Sequence, residues 1–265
     1  MYETIRCELV ENTGVLTLAR PDVLNAFSLK MFEEILDCME GMESSGVRAC
    51  VITGEGRAFS AGADLKERKA MSDRLPPDAS PFQRTAHHAL SRKVFDTIEN
   101  LPCPTLAAIG GVAAGGGFEL ALVCDLRIAS QSARLGLTEA KIGAIPSAGG
   151  TQRLARLVGL AKAKEIIMLG KLLSAREAER FGLISEVVQD ADLMERAMAI
   201  ARELSEGAPL ALRAAKLALN SALDVPLSRG LELERLLAAL LSGTQDLEEG
   251  KRAFAEKRKP EFRGK

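Results

Sequence analysis

Apolar positions in the first part of the chain fall in short β-branched runs, and farther on they recur at helical spacing. Residues 4–10 and 14–19 read as a hairpin joined through Glu11-Asn12-Thr13-Gly14, and Arg20-Pro21-Asp22 breaks it. A helix from about 28 to 42 follows, capped by Ser28, with Met31, Ile35, Met39 and Met42 at helical spacing. Residues 48–54 form a buried strand, ended by the turn Gly54-Glu55-Gly56-Arg57. Small residues at 58–63 then open into a charged helix start, and 71–81, with Pro76, Pro77, Asp78 and Pro81, reads as a mobile surface loop. His87 and His88 lie in the next helix, which runs to about Asn100; 104–109, 124–130 and 133–137 are further strands. From Ala161 onward the pattern is helical apart from a short strand at 183–188, with amphipathic segments at 191–206, 209–223, 228–241 and 246–257.

Repeated strand-strand-helix units with glycine turns at the strand ends predict an α/β domain whose ligand site collects those turns. We expect a core over 1–190 that carries the site and a helical region over 191–265. The helix around 231–241 bears Leu231, Leu233, Leu236, Leu237, Leu240 and Leu241 on several sides, so it must be covered, and a subunit contact is the expected cover.

The stretch 111–125 holds the most informative chemistry. Gly115, Gly116 and Gly117 in a row suit neither helix interior nor strand, because each costs about 1 kcal/mol against Ala in a helix and packs nothing in a sheet. They predict a turn, and Phe118-Glu119-Leu120-Ala121-Leu122-Val123 reads as the first turns of a buried helix. Free N–H groups at such a start can reach a substrate oxygen. Phosphate binding is not supported: a P-loop from Gly110 would need Lys where Gly116 stands, and a dinucleotide fingerprint from Gly111 would need glycine at Ala113. Backbone donors beside a carboxylate point to acyl chemistry.

Ile145-Pro146-Ser147-Ala148-Gly149-Gly150-Thr151-Gln152-Arg153 is a second small-residue turn opening a helix. Glu119 and Glu139 each follow a tight turn or strand end among mostly apolar neighbours, which invites an acid/base pair, since partial burial raises a carboxyl pKa toward neutrality. Spacing alone leaves open two structural acids, Glu119 capping its own helix and Glu139 pairing with Lys141.

A chain of 265 residues, 47% hydrophobic and 27% charged, suits one large soluble domain, alone or with an appendage. Net charge of −1 gives no general attraction to nucleic acid or anionic membrane, and no apolar run reaches the roughly 18 to 20 residues that cross a bilayer. Cys7, Cys38, Cys50, Cys103 and Cys124 are odd in number and widely spaced, so they read as reduced core residues of a cytoplasmic protein whose N-terminus enters a strand at once. His87 and His88 lack carboxylate or Cys partners at ligand spacing, so they read as surface or packing residues and no metal is expected.

Three segments carry a resemblance. Ser60-Ala61-Gly62-Ala63-Asp64-Leu65-Lys66-Glu67, Gly115-Gly116-Gly117-Phe118-Glu119-Leu120-Ala121 with Cys124-Asp125, and Pro146 to Leu154 resemble the enoyl-CoA hydratase/isomerase (crotonase) family, in the right order across essentially the whole chain. The resemblance implies a crotonase-like α/β spiral of repeated β-β-α units with a C-terminal helical region that builds trimers or dimers of trimers. It implies that Glu119 is the base toward the water attacking C3 of a trans-2-enoyl-CoA, and that Glu139 exchanges the proton at C2, so that water adds syn. It implies an oxyanion hole from the N–H groups of Ala63 and Gly116. It also implies coenzyme A contacts from Ala61, Asp64, Leu65 and Lys66, with Val23 to Ala26 lining the opposite side, and from Phe254 and Lys257, often of an adjacent subunit. No cofactor is implied beyond the coenzyme A of the substrate.

Both acids being present favours hydration, because isomerases of the family tend to need only the counterpart of Glu139. Ala61 to Arg68 with Pro260-Glu261-Phe262 is most similar to methylglutaconyl-CoA hydratases of leucine breakdown, some of which also bind AU-rich RNA through a lysine-rich early helix. Here residues 21–46 hold one cation, Lys30, against Asp22, Glu33, Glu34, Asp37, Glu40 and Glu43, so nucleic acid is not an expected partner. A carboxylated acyl chain would want a cation near the acyl pocket; Arg84 and Arg92 are the sequence's weak candidates, and Ser147 could bond a polar acyl group or its own helix start.

Overall fold

The computed structural model describes residues 2–84 and 87–265, without the side chains of Pro81, Arg84 and His87. Strands β1 (Ile5–Val10) and β2 (Thr13–Leu18) form the expected hairpin, and α1 (Leu29–Ser44) starts where Ser28 accepts a hydrogen bond from the Met31 N–H. Three strand-strand-helix units follow. β3 (Ala49–Gly54) and β4 (Ala58–Ser60) lead to α2 (Leu65–Ser72), then α3 (Pro81–Arg84) and α4 (His87–Glu99). β5 (Thr105–Ile109) and β6 (Val112–Ala114) lead to α5 (Gly116–Val123). β7 (Leu126–Ser130) and β8 (Arg134–Gly136) lead through a 3₁₀ turn, Glu139–Ile142, to α6 (Gly150–Leu169). β9 (Leu173–Ser174), α7 (Ala175–Arg180), β10 (Glu186–Val188), α8 (Leu193–Ser205), α9 (Pro209–Ser221), α10 (Leu227–Leu241) and α11 (Gln245–Glu256) complete the chain.

Each unit places its first strand in one sheet and its second in another. The six-stranded sheet runs β1-β2-β3-β5-β7-β10 and the four-stranded sheet β4-β6-β8-β9. Apart from the β1 and β9 pairings, all neighbours are parallel. Because both faces of a parallel sheet must be covered, β3 and β5 are buried almost throughout, and the large core includes Ile52, Phe59, Ile109 and Phe118. Repetition carries the chain forward as a spiral and brings the starts of α2, α5 and α6 to one side, where their turns converge.

Three expectations change. The glycine run is not a turn throughout: Gly115 stands at the N-cap of α5 and Gly116 and Gly117 are its first residues, while Val112–Ala114 just before it pairs with β4 and β8, a run too short for its alternation to show. α8 buries Leu193, Ala197 and Ala201 against Val51, Leu106 and Ile128, so by packing it covers the sheet, and the core continues past residue 190. Cys7 and Cys38 form a disulfide between β1 and α1, which corrects the reading of five thiols; Cys50, Cys103 and Cys124 are free and buried. A bridge across 31 residues depends on how α1 packs on the hairpin, which spacing cannot reveal. Among the described residues, no helix is long and apolar enough to cross a membrane.

Candidate active site

The converging turns bound a cavity of about 530 Å³. Its walls include Phe27, Phe32, Leu65, Phe95, Ile142 and Ile145, and its polar groups include Arg68, Glu119 and Glu139. The site is thus apolar with a few placed charges, the usual make-up of a small-molecule pocket.

Glu119 sits in the first turn of α5 and is 3% exposed. It does not cap its own helix. Its Oε1 accepts hydrogen bonds from the N–H groups of Ala148 and Gly150, both 2.8 Å, across 29 and 31 residues. Burial pushes its carboxyl above the ordinary value, against those two bonds and the charges of Arg153 and Arg68. A Cβ at Gly150 would stand 2.9 Å from Glu119 Cγ and Oε1, so glycine is required for this close approach. Arg153 holds the donating turn in place, giving Nε to Glu99 at 2.8 Å and an N–H to the Ala148 carbonyl at 3.0 Å.

Glu139 opens the 3₁₀ turn after β8. Burial, reinforced by the charge of Glu119, raises its pKa. No ion pair with Lys141 forms among the described residues. Glu139 Oε2 is buried without a hydrogen-bond partner in the protein, a state that a structural acid seldom tolerates. Its Oε1 lies 3.1 Å from where a Gly115 Cβ would be, so the carboxyl rests against the start of α5.

Gly62 and Gly116 bring two backbone segments together. Gly62 has φ +89°, and a Cβ on it would lie 2.9 Å from the Gly116 nitrogen and 2.8 Å from the Ala114 oxygen. The N–H groups of Ala63 and Gly116 donate to no described residue, while their neighbours Gly62, Asp64 and Gly115 all do. Both residues line the cavity that holds the two glutamates.

The residues matched run from 8 to 265 when the sequence is compared with the family model described as enoyl-CoA hydratase/isomerase. The chain belongs to the enoyl-CoA hydratase/isomerase family. It is accordingly an acyl-CoA enzyme of the carbon–oxygen lyase type. It is 44% identical over 257 residues to the putative enoyl-CoA hydratase/isomerase YngF of Bacillus subtilis, covering 96% of this chain and 95% of that one. It is 42% identical over 262 residues to the mitochondrial methylglutaconyl-CoA hydratase of Homo sapiens, covering 96% and 75%. A solved enoyl-CoA hydratase from Bacillus anthracis superposes with a TM-score of 0.92 at 38% identity, covering 99% of this chain and 100% of that one.

Of the positions expected in the site of this enoyl-CoA hydratase/isomerase family member, Ala61, Ala63, Leu65, Gly116, Glu119 and Glu139 line the cavity, and Val23, Ala26, Asp64, Lys66, Phe254 and Lys257 do not. The Asp64 carboxylate is already engaged: it accepts from the Lys66 and Glu67 N–H groups as the α2 cap and pairs with Arg20 at 3.1 Å. Phe254 is 88% exposed near the end of α11. Ser147 does not bond its own helix start; its Oγ lies 2.8 Å from His88 Nδ1, and both line the cavity. Arg92 is an exposed partner of Asp96 and lies off the cavity, and the side chain of Arg84 lies outside the described residues, as does that of His87. The cation on the wall is Arg68, inside a quoted motif but not singled out from sequence. Among the described residues no group of His, Cys, Asp and Glu could hold a metal.

Proposed function

We propose that this chain is a 2-enoyl-CoA hydratase. The observation that carries the reading is one cavity walled by a buried and a half-buried carboxyl, both of raised pKa, and by two backbone N–H groups without acceptors among the described residues. The thioester oxygen accepts from the Ala63 and Gly116 N–H groups, which draws charge from C3 as the enolate-like transition state develops; one such donor is commonly worth about 3 kcal/mol. Glu119, ionised, takes a proton from water as its oxygen bonds to C3. Glu139, protonated, gives its proton to C2, and H and OH add to the same face. Both glutamates favour this over a double-bond shift, which needs one acid.

The same reading gives roles to the outlying positions. Ala61, Asp64, Leu65 and Lys66, with Val23 and Ala26 opposite, flank the coenzyme A arm, and Phe254 and Lys257 reach a neighbouring subunit's coenzyme A. Leu231, Leu236 and Leu240 on α10 are 55%, 49% and 75% exposed, a face suited to a trimer or dimer of trimers; sedimentation as a monomer at micromolar concentration would contradict that. RNA binding is not part of the proposal, since α1 presents Glu33, Glu40 and Glu43 with Lys30 as its only cation.

The test is a steady-state comparison of kcat/KM for short, long, branched and carboxylated 2-enoyl-CoAs, 3-methylglutaconyl-CoA of leucine breakdown among them, with products weighed by mass spectrometry. At least one must yield its water adduct; no adduct from any of them overturns the proposal.

A further inference from the structure

Arg68 lies one turn beyond the α2 cap, on the wall of the cavity that holds Glu119 and Glu139. The acids on the same helix turn are engaged elsewhere: Asp64 pairs with Arg20, and Glu67 accepts from the Leu29 N–H. The Arg68 guanidinium makes no hydrogen bond or ion pair among the described residues. Burial disfavours its charge, and attraction to Glu119 and Glu139 does not cancel that cost. Neither glutamate forms an ion pair with it among the described residues. Glu119 Oε1 is taken by two backbone donors, and Glu139 is held toward its neutral form by burial. The rest of the nearby wall includes Phe27, Phe32, Phe95 and Ile142. A planar fork of N–H donors in such surroundings matches a carboxylate better than any other small anion carried by an acyl chain.

Two anions belong to an acyl-CoA of this kind, the phosphates of coenzyme A and any carboxylate at the far end of the acyl chain. The whole pantetheine arm separates the phosphates from the thioester, whereas the charge of Arg68 is felt by both glutamates at the reacting carbons. Resting on the hydratase reading above, we infer that Arg68 is a specificity-determining residue that receives the terminal carboxylate of a short dicarboxylic 2-enoyl-CoA. The carboxyl carbon stands two atoms beyond C3, so one bidentate contact would orient the double bond between Glu119 and Glu139.

The test uses two substrates of equal length, trans-glutaconyl-CoA with a carboxylate end and trans-2-pentenoyl-CoA with a methyl end. In Arg68→Met the ratio of kcat/KM, glutaconyl over pentenoyl, falls roughly 30-fold or more, chiefly through KM, because one partner of a desolvated charge pair is gone. Arg68→Lys restores part of the ratio, as a point charge without the fork, and it keeps the test alive should the Met variant fold poorly. A ratio held within about 3-fold in both variants, with the acid limb of the pH profile displaced equally for both substrates, overturns the inference and makes Arg68 a counter-charge for the glutamates. If the wild-type protein hydrates neither substrate nor any other 2-enoyl-CoA, the hydratase reading itself fails; if it hydrates pentenoyl-CoA and the ratio is insensitive to residue 68, only the role of Arg68 does.

Discussion

Glu119→Gln separates chemistry from architecture at the centre of the site. The side-chain oxygen that accepts from Ala148 and Gly150 at 2.8 Å survives in the amide, so the turn before α6 keeps both bonds. Each is worth about 1 kcal/mol net, and the Gln variant should lose less than about 1 kcal/mol of stability. What disappears is the base. Losing a positioned general base costs typically about 10² to 10⁴ in rate, or about 2.7 to 5.4 kcal/mol at 1.36 kcal/mol per tenfold. Glu119→Ala provides the contrast, since it strands the buried Gly150 N–H at about 1 to 3 kcal/mol and the half-buried Ala148 N–H beside it, and should be markedly less stable. The assay is the loss of enoyl-thioester absorbance with crotonyl-CoA, alongside urea melts of both variants. A Gln variant with near-normal kcat, or one as unstable as the Ala variant, would refute the reasoning.

Gly150→Ala puts a Cβ 2.9 Å from Glu119 Cγ and Oε1 and from Leu137, so the carboxylate must move; kcat should drop roughly 100-fold, and unchanged kcat would show that the site tolerates the shift. Both glutamates have folded-state pKa values raised above 4.5, so over the window from 4.5 up to those values the native state keeps protons that the unfolded chain releases. Their contribution to stability is therefore greatest below pH 4.5 and is lost as pH rises through the raised values. The stability of wild type minus that of the Glu119→Gln/Glu139→Gln variant should decline across that window, and a flat or rising difference in urea melts would contradict the burial. Alkylation of the unreduced, denatured chain should label Cys50, Cys103 and Cys124 and leave Cys7 and Cys38 unmodified until reduction; five labelled thiols before reduction would remove the bridge.

Local signals made the larger elements legible. Ser28 before an apolar periodic run marked α1, and β-branched runs marked β3 and β5, because caps and burial act within a few residues. Glu119 and Glu139 stood out as acids in apolar company, and family motifs supplied the pairing. What sequence could not carry was anything set by packing between units. The partners of Glu119 lie 29 and 31 residues away, the Ser147–His88 contact spans 59, and the three-residue strand β6 is too short to show a period. Arg68 was in view within a charged helix start, yet only its place on the cavity wall in three dimensions distinguishes it from Lys66 and Lys69 on the same helix. Cys7 and Cys38 became a pair once α1 lay against β1.

The most direct test of the central claim follows where the atoms of water go. Crotonyl-CoA turned over in H₂¹⁸O and, separately, in D₂O should give 3-hydroxybutyryl-CoA with the heavy oxygen at C3 and one deuterium at C2. A deconjugated product that has exchanged deuterium but gained no oxygen would contradict hydration and assign the two carboxyls to a proton shuttle alone.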